Sequence, residues 1–211
     1  MKKNKLLIAL VLTVPSSAVL SADEKIDYSF SLKNWYAKAK VGSTSSESTN
    51  SPIVSATARK GDYFVTASTL LSTTYSFGYG SELFRKDTDL ALGWSVHPNV
   101  SLLLGQKNAG IREYNTSRGW TKYGVNLTYL GANGFTPIGE KSFVYGTYTQ
   151  SFKGHDGALG GTMKYTSYEG GYGYVLSKDS QLTVGYRSQK FSASDGTSTL
   201  PGIIFGVNIT P

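Results

Sequence analysis

The chain contains no cysteine, two histidines and six prolines among its 211 residues. Without cysteine there can be no disulfide staple, no thiolate metal site and no cysteine nucleophile. The two histidines, His97 and His155, fall in separate connections, too few and too scattered for a metal site. Nor do they form a catalytic relay. Neighbouring residues of an extended chain point to opposite faces, so Asp156 is badly placed to orient His155. No enzymatic activity, metal or cofactor is expected from these residues. Beyond the first two dozen residues the sequence has no long helical periodicity, and no apolar run approaches the roughly 20 residues of a membrane-spanning helix.

Acidic residues are scarce, 14 against 21 basic, for a net charge of +7. Part of that excess belongs to the N-terminus. Lys2, Lys3 and Lys5 precede a short apolar stretch at 6–14 (LLIALVLTV), and small residues follow at Ser16, Ser17, Ala18, Ser21 and Ala22. This order predicts a secretory signal over 1–22 and one exported domain over 23–211. Without the three lysines, 18 basic residues face 14 acidic ones, a charge of +4. That balance does not call for a nucleic-acid partner.

What the chain does have is glycine (24) and tyrosine (15) in many short alternating segments. Leu90, Leu92, Trp94 and Val96 alternate with Asp89, Gly93 and Ser95, and Ile203, Phe205, Val207 and Ile209 alternate with Gly206 and Asn208. Such alternation predicts half-buried strands. Short connections at 60–62, 97–99 and 177–180 take turns with longer ones at 42–51, 76–86, 108–119, 153–161 and 192–199. An even strand number, short turns on one side and long loops on the other belong to membrane barrels. We therefore expect an all-β, transmembrane, antiparallel up-and-down barrel of ten strands, with eight as the alternative. In the first strand Tyr28, Phe30 and Leu32 are followed in the opposite phase by Trp35, Ala37 and Ala39, which predicts a β-bulge near Lys33-Asn34. Alternation alone does not say which face is outside. Charges at mid-strand on the polar face, with Tyr and Trp near strand ends, favour lipid outside. A soluble periplasmic lipid-binding barrel would have the reverse sense.

A hairpin-sized unit repeats 80 residues apart: 93–107 (GWSVHPNVSLLLGQK) and 173–187 of 173–191 (GYVLSKDSQLTVGYRSQKF). Gly93, Trp94, Val96, Asn99, Leu102, Leu104, Gly105 and Lys107 correspond to Gly173, Tyr174, Leu176, Asp179, Leu182, Val184, Gly185 and Arg187. Hairpin repetition is how up-and-down barrels are built. The second copy, with its Gly-Tyr-x-Leu, polar turn and Leu-x-Val-Gly-Tyr-Arg, resembles the closing hairpin of small porin-like bacterial outer-membrane barrels. Chains of that group usually end on an aromatic residue, whereas the last aromatic here is Phe205. The resemblance implies the cell outer membrane, the barrel assembly machinery and outer-membrane lipids as partners, and either a small channel passing ions or solutes or a structural or surface barrel. A loop-borne adhesin role is the alternative.

Two groups of candidate residues follow. Lys38, Arg59, Asp89, Lys122, Glu169 and Arg187 fall on the polar face and are expected to line the lumen, as a narrow pore or as an ion-pair network that fills it. Arg85, Lys86, Arg112, Arg118 and Lys153, with Lys40 and Lys190, fall towards the long-loop side, where cations can meet lipopolysaccharide phosphates.

Overall fold

In the computed structural model, residues 25–115, 119–152, 154–156, 162–193 and 196–211 are described. The expected signal segment 1–22, Arg118 and Lys153 lie outside them. Eleven strand segments form one sheet: β1 (Asp27–Val41), β2 (Thr44–Lys60), β3 (Tyr63–Ser76), β4 (Glu82–His97), β5 (Val100–Asn115), β6 (Gly119–Pro137), β7 (Ser142–Ser151), β8 (Gly154–Asp156), β9 (Thr162–Ser177), β10 (Ser180–Ala193) and β11 (Gly196–Ile209). Every neighbouring pair is antiparallel, and β1 pairs with β11, so the sheet closes. The short β8 pairs with β6 and β9, the same neighbours as β7. The two segments make one stave, and the barrel has ten. Closure leaves no open sheet edge, which is what hydrocarbon requires of a β structure.

Most connections are tighter than the sequence suggests. Residues Gly61 and Asp62 join β2 to β3, Pro98 and Asn99 join β4 to β5, and Lys178 and Asp179 join β9 to β10. Gly61 has φ +56°, a conformation glycine adopts freely in two-residue hairpins. At the other end Gly42 and Ser43 alone join β1 to β2. The expected loop at 42–51 is therefore mostly strand, and the 108–119 loop is strand through Asn115. Serine, threonine and asparagine, read as loop signals, here stand on the wet wall of strands that outrun the bilayer. A spanning strand needs about 9–11 residues, whereas β1 has 15 and β6 has 19.

The outer wall divides by height. Near the short turns it is apolar: Tyr28, Phe30, Leu32, Leu92, Leu102, Val184 and Phe205 are exposed there. Tyr28, Tyr63, Trp94 and Tyr174 edge this belt at the turn end. Tyr36, Tyr148, Tyr168 and Tyr186 edge it above. Two aromatic girdles around an apolar band are what a bilayer selects. A soluble carrier barrel would turn these side chains inward, so that alternative is excluded. Above the belt the sense inverts. Lys38, Asn108, Lys122, Asn126 and Thr128 point outward, while Ala37, Ala39, Ala109, Val125 and Leu127 are buried inside.

This inversion corrects the expected bulge. β1 runs without a register break at Lys33-Asn34, and its irregularity lies between Lys38 and Lys40. Ser29, Ser31, Lys33, Trp35 and Ala37 all share the inner face. The change in sequence phase marks a change of surroundings, not of backbone.

Inward glycines admit rings from the neighbouring strand. Phe64 is paired with Gly93, and Phe143 with Gly173. A Cβ on either glycine would lie 2.1 Å from the facing ring. The repeated glycines are thus sockets for aromatic side chains. Gly171 has less room to adapt, since a Cβ there would meet backbone, the Val184 carbonyl oxygen at 2.2 Å. Gly171→Ala should cost about 1–3 kcal/mol, the usual range for overpacking. Gly124→Ala, with nothing within 4 Å of the added carbon, should leave stability unchanged. Urea unfolding of the detergent-refolded barrel, followed by tryptophan fluorescence, checks both.

Candidate functional site: the closed lumen

Within the lumen every stave contributes a buried inward side chain. These are Trp35, Ser51, Tyr75, Asp87, Lys107, Leu127, Thr149, Ser167, Gln189 and Ile204, in stave order from β1. The charged centre of this set hangs from β4 and β5. Arg85 is wholly buried and forms a forked contact with Asp87, donating from Nε to Oδ1 at 2.8 Å and from Nη2 to Oδ2. Nη2 also donates to Gln189 Oε1 at 2.6 Å across the barrel. Lys107 Nζ lies 3.0 Å from Asp87 and 3.6 Å from Asp89. Asp89 accepts from the Tyr129 hydroxyl at 2.5 Å. Two cations and two carboxylates balance, as buried charges must. Aromatic faces complete the shell, with Arg85 over Phe191 at 4.9 Å and Lys107 over Tyr165 at 5.8 Å.

A second cluster sits nearer the turns. Lys33 Nζ donates to Glu169 Oε1 at 2.7 Å, and Arg187 reaches Oε2 at 3.6 Å. Arg187 also lies over the Trp35 ring at 5.1 Å. The two clusters are copies in the 80-residue repeat: Asp89 faces Lys107 across β4–β5, and Glu169 faces Arg187 across β9–β10. The repeat therefore carries a cross-strand ion pair as well as its turn and glycines.

Below this second cluster a cavity of about 620 Å³ opens among the short turns. Lys33, Arg59, Ser95, Ser101, Asn133 and Gln181 are in its wall. Arg59 donates to Ser95 Oγ at 2.8 Å and lies over Phe64 at 4.6 Å. Deeper in the lumen stand Trp35, Tyr75 and Arg85, which solvent does not reach.

The expected lumen residues divide accordingly. Arg59, Asp89, Glu169 and Arg187 are on the inner wall. Lys38 and Lys122 are on the outer wall, exposed. Both belong to the upper zone, where water lies outside and the apolar phase points in, so reading their apolar neighbours as lipid-facing reversed them. Lys33, Asp87 and Lys107 complete the clusters. The hairpin position of Lys107 opposite Asp89, with Asp87 two residues away on the same face, and the 80-residue relation are the sequence signals that could have found two of them.

Among the expected lipopolysaccharide contacts, Arg85 is corrected outright, because a wholly buried guanidinium bonded to Asp87 cannot reach a lipid. Lys86, Arg112 and Lys122 share an outer-wall recess of about 450 Å³. Among the described residues no group of three or more His, Cys, Asp or Glu side chains could hold a metal. His97 accepts a hydrogen bond at Nδ1 from the Asn99 amide in an exposed turn.

A closed ten-stave barrel, apolar outside where it is girdled by aromatics and polar or packed inside, defines the class of transmembrane β-barrels of the bacterial outer membrane. No protein-family model and no curated protein sequence matches the chain. Among solved structures it is similar in fold to the outer-membrane protease OmpT of Escherichia coli, at 13% identity over 88% of this chain and 96% of that one, with a TM-score of 0.49. It is likewise similar to Neisserial surface protein A, at 15% identity over 89% of this chain and 100% of that one, TM-score 0.42. The Pseudomonas putida toluene transporter TodX matches at 10% identity over 92% and 71%, TM-score 0.37.

Asp87→Asn should destabilise the barrel by about 3–5 kcal/mol, because it leaves Arg85 and Lys107 buried beside a neutral group. Glu169→Gln should cost less, since Lys33 and Arg187 retain some water. Lys122→Gln should be neutral. Equilibrium unfolding in urea ranks the three.

Proposed function

We propose that the chain serves as a structural or surface barrel of the outer membrane, closed at rest, rather than as an open pore. The observation that carries this reading is that all ten staves contribute buried side chains to the lumen. An open porin leaves a water-filled lumen, which takes many more strands. Here, beyond the polar cavity, stand Trp35, Ser51, Tyr75 and Arg85, which no solvent reaches. The ion-pair network supports the reading as filler: it neutralises itself and ties strands distant in sequence, as Arg85 does to Gln189.

The short-turn end faces the periplasm in this reading, together with both ends of the barrel sheet, where the Thr210 amide donates to the Asp179 carbonyl. The staves extend beyond the belt into the outside medium. The chain reaches its place by export and the barrel assembly machinery. No catalysis is assigned to it, and neither nucleic acid nor a cofactor belongs to this reading.

Purified, folded protein in planar bilayers is expected to show no stepwise conductance at moderate voltage. Regular single-channel steps from the unmodified barrel would overturn the closed-barrel reading.

A further inference from the structure

The upper outer wall of four consecutive staves carries a row of cations. Lys40 on β1 faces Thr199 on β11, Thr199 faces Lys190 on β10, and Lys190 faces Thr166 on β9. Lys164 stands diagonally beside Lys190, because its cross-strand partner is Ser192. Lys38 is two residues from Lys40 on the same outward face. With strands spaced about 4.8 Å apart, Lys40 and Lys190 stand about 10 Å from each other. All four lysines are exposed. The other outward positions at this height on these staves are Thr166, Ser188, Ser192, Thr199 and Pro201. Among the described residues none of the four lysines forms an ion pair, and a single carboxylate, Glu47, is exposed beside them on β2 between the positions facing Lys40 and Lys38. Gathering like charges on adjacent strands is unfavourable unless an anion joins them.

What lies beneath the row shows the kind of anion. Lys40, Lys164 and Lys190 each stand four residues beyond an outward tyrosine: Tyr36, Tyr168 and Tyr186. Tyr168 and Tyr186 pack with ring centroids 6.2 Å apart. Below the tyrosines, on the same staves, the wall has an apolar groove of about 630 Å³, lined among others by Leu32, Tyr172, Leu182, Val184 and Phe205. In vertical order the face therefore offers hydrocarbon, aromatic edge, then cations with hydroxyl donors.

We propose that this β9–β10–β11–β1 face is a docking site for lipopolysaccharide, with its phosphates on Lys38, Lys40, Lys164 and Lys190 and its acyl chains in the groove. The charge selects a phosphorylated lipid. The groove's width, spanning several staves, suits a headgroup that carries several chains. Ammonium groups and hydroxyls recognise phosphate oxygens by charge-assisted hydrogen bonds. The inference rests on the membrane-barrel reading and adds a specific partner on one side of the barrel.

The test uses the full folded barrel in detergent, with purified rough lipopolysaccharide, its dephosphorylated form and phosphatidylglycerol as probes, read by native mass spectrometry and by titration. Phosphorylated lipopolysaccharide should bind the unmodified protein, and the dephosphorylated form should bind at least tenfold more weakly. The fourfold variant Lys38→Gln/Lys40→Gln/Lys164→Gln/Lys190→Gln should lose on the order of 600-fold in affinity, at roughly fivefold per lysine. Lys25→Gln/Lys178→Gln, at the opposite end, should bind as the parent does. Folding of each variant is checked by its heat-dependent gel mobility, and the dephosphorylated probe tests the site on unmodified protein alone. Equal binding by the fourfold variant, or equal binding of phosphatidylglycerol, would overturn the assignment. Membrane fractionation of the unmodified protein separates the two levels: recovery in the soluble periplasm defeats the membrane reading, whereas membrane recovery with unselective lipid binding defeats only the docking site.

Discussion

Most strands of this barrel keep one face inward along their length, with β2 and β3 changing phase only at a register shift, while the medium outside changes from hydrocarbon to water partway up. The rest of the structure answers that mismatch. Below the upper tyrosines the outer positions must be apolar, and the inner ones are free to be polar. Above them the outer positions must be polar, and the inner ones become the place to bury apolar surface. β1 shows both regimes in one run, with Phe30 and Leu32 outward and Trp35 and Ala37 inward on an uninterrupted ladder. The molecule is thus a membrane barrel at one end and a packed barrel at the other.

The packed interior follows from this arrangement. A ten-stave barrel has an interior of side-chain dimensions, and large residues fill it: Trp35, Tyr75, Tyr129, Tyr165 and Phe191. Charges inside must then bond to one another. Arg85, Asp87, Lys107 and Asp89 do so around the aromatic rings, and Glu169 does so with Lys33 and Arg187. Glycines opposite the rings are the geometric complement. The same inversion sends the surplus lysines of β1, β9 and β10 to the outer wall above the tyrosines, where an anionic lipid surface would meet them.

Much of the architecture was legible in the residues. Period-two alternation, hairpin turns and the 80-residue repeat gave an antiparallel barrel with an even strand number, and four of the six expected lumen charges lie on the inner wall. Lys38 and Lys122 were misplaced for one reason: apolar neighbours were read as lipid-facing throughout. Arg85 was misplaced because it stands beside a Gly-rich connection and read as loop, although β4 already begins at Glu82. The long loops were overestimated because serine and threonine suit both a turn and the solvent face of an extended strand.

By itself the sequence determined the strand alternation, the tight turns at Gly61, Pro98 and Lys178, the absence of thiol chemistry and the repeated hairpin. These depend on local backbone preference and on the period of two, which neighbours along the chain express directly. Only the tertiary structure decided which face points inward at each height, that Arg85 meets Gln189 104 residues away, and that Trp35, Tyr75 and Arg85 are wholly buried inside. Those depend on closure of β1 on β11 and on the level at which each stave meets the bilayer. An alternating pattern has the same period whichever side is lipid, so its sense is fixed only once ten staves share one axis.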